Sequence, residues 1–185
     1  MADDRRDSEG GTRQRILDEA LALFNERGYE GATFRQLSER TGITGAAINY
    51  HFRLKDDILC AVVGPYLAEL DALLDRSPTA NSPARRRQLL ADLVDLVVTH
   101  HKVVRFLARD VGAANHRGLA SRLDEQHARL RGRLVGPSAG ERAHLRAAAA
   151  IGAVLRPVTH LDGVVPNLAR RELAAVAYRA LAGGA

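Results

Sequence analysis

Between Thr33 and Lys55 the chain reads TFRQLSERTGITGAAINYHFRLK, and its polar side chains are of the kinds that grip nucleic acid. An arginine such as Arg35 can hold guanine O6 and N7 with two parallel N–H donors, and Asn49 can match an adenine edge or a phosphate. The hydroxyl of Thr44 and the guanidinium of Arg53 suit backbone phosphates, which position a protein without reading sequence. Gly45, Ala46 and Ala47 lack bulk, so the backbone there can approach a groove closely, and an alanine methyl can touch a thymine methyl. No Lys or Arg lies between Gly42 and Phe52. Charge neutralisation and base readout must therefore fall to different residues.

A second polar cluster, HHKVVRFLARD at 100–110, sets His100, His101, Arg105, Arg109 and Asp110 around Phe106 in an otherwise apolar region. With Tyr66 and His127 these residues are the expected lining of a mixed apolar and polar ligand cavity.

Other chemistries find no support. The chain lacks a phosphate loop and a Cys/His cluster, so an enzyme is not expected. Seven histidines raise the question of metal. His100 and His101 are adjacent and point different ways on a helix, and no pair has i, i+4 spacing, so no metal or other cofactor is expected. The one cysteine, Cys60, lies in the run ILCAVV and reads as a buried, inert thiol. A single cysteine, an N-terminus without an apolar core and no apolar run near ~18 residues fit a cytoplasmic chain with no membrane contact. The net charge of +5 does not mark a DNA surface, because residues 1–60 hold nine bases against eleven acids.

The elements that must position these residues are helices. Alternating strand patterns are absent, and Ala, Leu, Arg and Glu abound, which predicts an all-α fold of about nine helices. Ile16, Leu17, Ala20, Leu21 and Phe24 form one face of a helix over Thr12–Arg27, and Gly28 stops it. Thr33 and Gln36 form a capping box at the start of a second, short helix that ends near Gly42. A third runs from Thr44 to about His51. The fourth starts near Lys55, with Gly64-Pro65 predicting a kink inside it. After the turn-rich SPTANSP (77–83), helical patterns cover 83–101, 103–113, 117–134, 138–156 and 169–182, and Ser138 with Glu141 reads as another capping box. The division is a disordered tail over 1–11, a helix-turn-helix head over 12–54 and a helical body over 55–185.

In the head, Leu37, Ile43, Ile48, Phe52 and Phe24 are the expected small core, with Ser38 where two helices cross. That spacing locks a helix pair and leaves one outer face free for a major groove. The order of elements carries more. A helix ending F-x-x-x-G-Y (Phe24 to Tyr29), then T-F-R-Q-L, G-I-T-G-A-A-I-N-Y-H-F and K-D-D-I-L, resembles the tetracycline-repressor-like (TetR) family of transcriptional regulators over about residues 12–60. The resemblance implies a homodimer that binds double-stranded operator DNA, usually as a repressor, and responds to a small-molecule effector bound in the body. It implies a dimer interface in the last two helices, about residues 138–182, and hence a near-palindromic operator. It also implies phosphate contacts for Tyr50, His51 and Lys55, and a base contact for Arg35. Two departures stand out: glycine occupies position 45, where a polar residue is common, and Arg53-Leu54 replaces a frequent Pro-Ser. A helical ligand-binding or protein-interaction module whose head does not bind DNA is the alternative left open.

Overall fold

Helix α1 spans Ala2–Gly31 in a computed structural model that describes residues 2–114, 116–160 and 167–183. The helical backbone thus reaches back through the expected disordered tail. Ile16, Leu17, Ala20, Leu23 and Phe24 are buried on its inner face, while Leu21 is only half-buried. The expected stop is real: Gly28 leaves helical geometry at φ 75° and ψ 164°, a region that disfavours any side chain.

The head is completed by α2 (Phe34–Thr41) and α3 (Gly45–His51). Helix α4 (Lys55–Arg76) is the axle of the molecule, burying Ile58, Leu59, Val62, Val63, Tyr66, Leu67, Leu70, Leu73 and Leu74. These positions recur every three to four residues and leave Cys60 outside the stripe, so its thiol is exposed rather than buried. Pro65 lies inside this unbroken helix on its exposed side, where solvent can take the carbonyl its ring leaves unbonded.

Around α4 pack α5 (Pro83–Thr99), α6 (His101–Arg109), the short α7 (Val111–Ala114), a 3-10 turn at His116–Gly118, α8 (Leu119–Val135), α9 (Glu141–His160) and α10 (Asn167–Ala182). Ser82 caps α5 by accepting from the Arg85 N–H at 3.3 Å, with Pro83 at the first helical position. The second capping box does not form. Helix α9 starts at Glu141, and the Ala143 and His144 N–H groups both donate to the Gly140 carbonyl, so Ser138 lies outside the helix start. Helix α8 is tied to α4 by polar contacts: Arg122 and Arg129 reach Asp71 at 2.9 and 3.0 Å, and buried Gln126 donates to the Leu67 carbonyl at 3.1 Å. No strand occurs among the described residues, and none of their helices is long and apolar enough to cross a membrane.

On α8, burial pushes the His127 imidazole below its ordinary 6.5, and the Arg131 charge adds to the effect. The native chain therefore binds fewer protons than the unfolded one just below that pH. The contribution is full above 6.5 and is lost as pH falls towards the depressed native value. Thermal melts between about pH 8 and about pH 5 should show stability falling with acid, and His127→Gln should lessen that fall. An unchanged pH dependence in the variant would assign the effect to other groups.

Candidate nucleic-acid interface

The α2–α3 unit is fixed by short-range hydrogen bonds. The Gln36 N–H donates to Thr33 Oγ1 at 3.3 Å and the Thr33 N–H to Gln36 Oε1 at 3.0 Å, the expected reciprocal cap. Helix α2 ends at Gly42, whose φ of 67° is left-handed. Two hydroxyls then lock the turn. Ser38 donates to the Ile43 carbonyl at 2.6 Å; Thr41 donates to the Leu37 carbonyl at 2.7 Å and accepts from the Ile43 N–H at 3.2 Å. Ser38 is at the crossing where its small size was expected. Thr41 was not anticipated, although a threonine next to a turn glycine is the available signal.

Helix α3 begins with Thr44, whose hydroxyl accepts from the Ala47 N–H at 3.3 Å. Ile48 is its only fully buried residue, and Phe52 follows it into the core with Leu37 and Phe24. Everything else on α3 faces outward or sits at the rim: Thr44, Gly45, Ala46, Asn49 and Tyr50 are exposed, Ala47 and His51 half-buried. Tyr50 is 76% exposed and meets the His51 ring edge-on at 5.4 Å. So large an exposed aromatic next to a small-residue surface is suited to a partner rather than to the core.

Arg35 is exposed on α2 and pairs with Glu39 at 2.9 Å. An exposed i, i+4 pair of this kind contributes only a few tenths of a kcal/mol, ~0.3–0.5, so the guanidinium can exchange partners. Thr33 and Thr44 are also exposed, but their hydroxyls serve as caps. Arg53 is exposed beyond α3. Leu54 precedes α4 without a side-chain cap, and Asp57 reaches back to accept from the Leu54 N–H at 2.9 Å. The structure adds Arg13, whose guanidinium lies 5.0 Å over the Phe52 ring at the end of α3. It also adds Arg40, which clamps α2 to α1 through both Glu26 oxygens at 2.7 and 2.8 Å.

Lys55 departs from expectation. Its ammonium donates to the carbonyls of Tyr29, Glu30 and Ala32 at 2.9, 3.4 and 3.3 Å and lies 4.3 Å over the Tyr29 ring. An ammonium has three donors, and three carbonyls take them. Rather than presenting a free charge to phosphate, Lys55 ties the end of α1 to the start of α4.

The tetR family of bacterial regulatory proteins matches this region at residues 16–62. Over these residues the head is similar to that of the tetR family. It is 25% identical over 104 residues to the probable transcriptional regulator YttP of Bacillus subtilis, a match covering 54% of this chain and 50% of YttP. A transcriptional repressor of Mycobacterium tuberculosis is 33% identical over 124 residues, which cover 66% of this chain and 64% of the repressor. The chain thus spans half of the first relative and under two thirds of the second. In fold it is similar to AibR, solved in complex with isovaleryl coenzyme A and operator DNA, with a TM-score of 0.69 and 21% identity over 92% of this chain and 97% of that one. These relatives are regulators, not enzymes.

Behind this head, the residues expected to line a ligand cavity are divided: Phe106, Arg109 and Asp110 line one cleft, and His100 and His101 another. Tyr66 is buried against the His100 ring at 5.7 Å, and burial pushes its hydroxyl up to about 12. His100 lies 3.1 Å from Glu69, while the exposed His101 contacts the Val98 carbonyl at 3.1 Å. Arg105 is half-buried, Arg109 is exposed and His127 lies apart on α8. Phe106 is core, stacked on Phe24 at 5.4 Å. Asp110 holds the head to the body: its carboxylate accepts from the Tyr29 N–H at 2.5 Å and the Ala113 N–H at 2.9 Å. Tyr29 completes this joint, its hydroxyl donating to Asp56, whose carboxylate also lies 2.7 Å from His116 Nε2.

Proposed function

We propose that the chain is a DNA-binding transcriptional regulator, a repressor that holds a near-palindromic operator as a homodimer and is released by a small-molecule effector. The observation that carries the reading is α3: a helix anchored inward by Ile48, with Thr44, Gly45, Ala46, Asn49 and Tyr50 left exposed beside Arg35. Arg35 and Asn49 are assigned to base edges, and Thr44, Tyr50, His51 and Arg53 to phosphates. Thr33, Ala46 and Ala47 shape the close approach. The complex of AibR with an acyl thioester and operator DNA supports ligand-responsive binding on this fold. The subunits are assigned to pair through α9 and α10, where Leu145 and Val176 are exposed.

Gel shifts on the DNA upstream of the chain's own gene test the reading. Retention should weaken with salt, and Arg35→Ala should cost ~1–3 kcal/mol and relax preference at one base pair. Equal loss by Arg35→Ala on operator and scrambled DNA would remove its reading role. Gly45 offers a gain. A Cβ added there meets nothing within 4 Å, so Gly45→Lys is accommodated. It should raise affinity on every probe and steepen the salt slope by about 0.9 per phosphate gained. An unchanged slope would place position 45 away from the DNA.

A further inference from the structure

Between α5 and α10 runs a groove of about 650 Å³ that neither the DNA reading nor the expected effector residues use. Asp95 and Arg170 meet at one end, Arg87 and Tyr178 at the other, so the two helices are antiparallel. Four arginines line the groove; Arg170 pairs with Asp95 and Arg179 with Glu172, so Arg87 and Arg171 carry the excess charge, with a floor of alanines between its ends. Arg171 and Tyr178 are seven residues apart on α10, roughly 10 Å of helix. Positive charge thus stands at both ends of an apolar strip.

The arginines are held in ways that leave donors unused. Arg87 stacks over the Tyr178 ring at 4.1 Å, which occupies the face of the guanidinium and leaves its in-plane N–H groups for an acceptor. Arg170 gives one arm to Asp95 at 2.9 Å, but its buried Nε has no acceptor among the described residues. Arg170 and Arg171 also occupy the opening turns of α10, which has no acidic residue in its first turn.

We propose that this groove binds an elongated organic anion, its oxyanion held by the arginines and its apolar body laid on the alanine floor. A volume of about 650 Å³ is that of a small-molecule site. Any use of this ligand as the effector rests on the regulator reading. The binding itself does not, and a failure to retain operator DNA would leave it untouched.

Calorimetry of the full chain with decanoate and with decanol, both kept below self-association, tests the site. Decanoate should bind once per chain and about tenfold more tightly than decanol, the difference that charge-assisted hydrogen bonds bring. The double variant Arg87→Gln, Arg171→Gln changes two exposed side chains, so its melting should be unaltered and the preference for decanoate lost. Absence of decanoate binding, equal binding of both probes or an unchanged double variant would overturn the proposal. So would sedimentation showing that the double variant dissociates a dimer, which would assign the groove to a contact between subunits.

Discussion

Phe106→Ala is expected to lower the stability of the whole chain by ~3–5 kcal/mol, a large fraction of the ~5–15 kcal/mol that typical domains possess. The ring is 1% exposed and stacks on Phe24 at 5.4 Å, which in turn meets Tyr29 edge-on at 5.5 Å. Truncation loses the apolar burial and the ring–ring contact together, and leaves a cavity between α1 and α6 that rigid helices cannot collapse to fill. The damage should reach the head, because Asp110 one turn beyond holds the Tyr29 N–H at 2.5 Å. For a chain of this size each kcal/mol shifts Tm by ~2–4 °C, so a fall of roughly 10 °C is expected in thermal melts. Phe106→Leu, which keeps most of the volume, should lose much less. Equal melting of Phe106→Ala and the unaltered chain would mean that α1 and α6 are not joined through this ring.

That the Phe106 ring is core shows where the sequence is informative. What depends on neighbours a few residues apart was legible: the Gly28 stop, the Thr33–Gln36 cap, the Gly42 turn with Ser38 beside it, and the Thr44 cap. The physics of each is contained within about five residues, so a motif and its geometry are nearly the same statement. The stretch HHKVVRFLARD gave polar and apolar residues in sequence but not the helix that covers each face; Phe24, some eighty residues earlier, decides the fate of Phe106. Cys60 is an intermediate case. Its apolar neighbours suggested burial, yet helical spacing from Ile58, Leu59, Val62 and Val63 already places it off the buried stripe. Ser138 failed because Gly140 starts α9 instead, a competition between two adjacent caps that a motif alone does not rank. The groove between α5 and α10 was not legible at all, because its two walls lie some eighty residues apart in the chain.

Lys55 is the sharpest instance, and its replacement carries the second large effect. The family resemblance implied a cation offered to phosphate; the fold supplies three carbonyls from the end of α1 and the loop after it. Lys55→Gln removes the charge and cannot satisfy three acceptors with two amide hydrogens. Charge-assisted hydrogen bonds contribute ~1.5–3 kcal/mol each, and the contact with the Tyr29 ring ~0.5–1 kcal/mol at an exposed site. Even discounted for partial exposure, a loss of about 2–3 kcal/mol in the placement of α1 against α4 is expected. Helix α3 hangs from that placement through Ile48 and Phe52, so affinity for operator and for scrambled DNA should both fall, by roughly tenfold or more. The salt dependence separates the two roles. A lysine that neutralised a phosphate would, on removal, flatten the slope of log affinity against log salt by about 0.9. A lysine that only holds the head in place leaves the number of phosphate contacts in the bound state unchanged, and with it the slope. The expected result is weaker binding at every salt concentration on a parallel line. A flattened line would return Lys55 to the DNA and show that its ammonium leaves the carbonyls when the operator arrives.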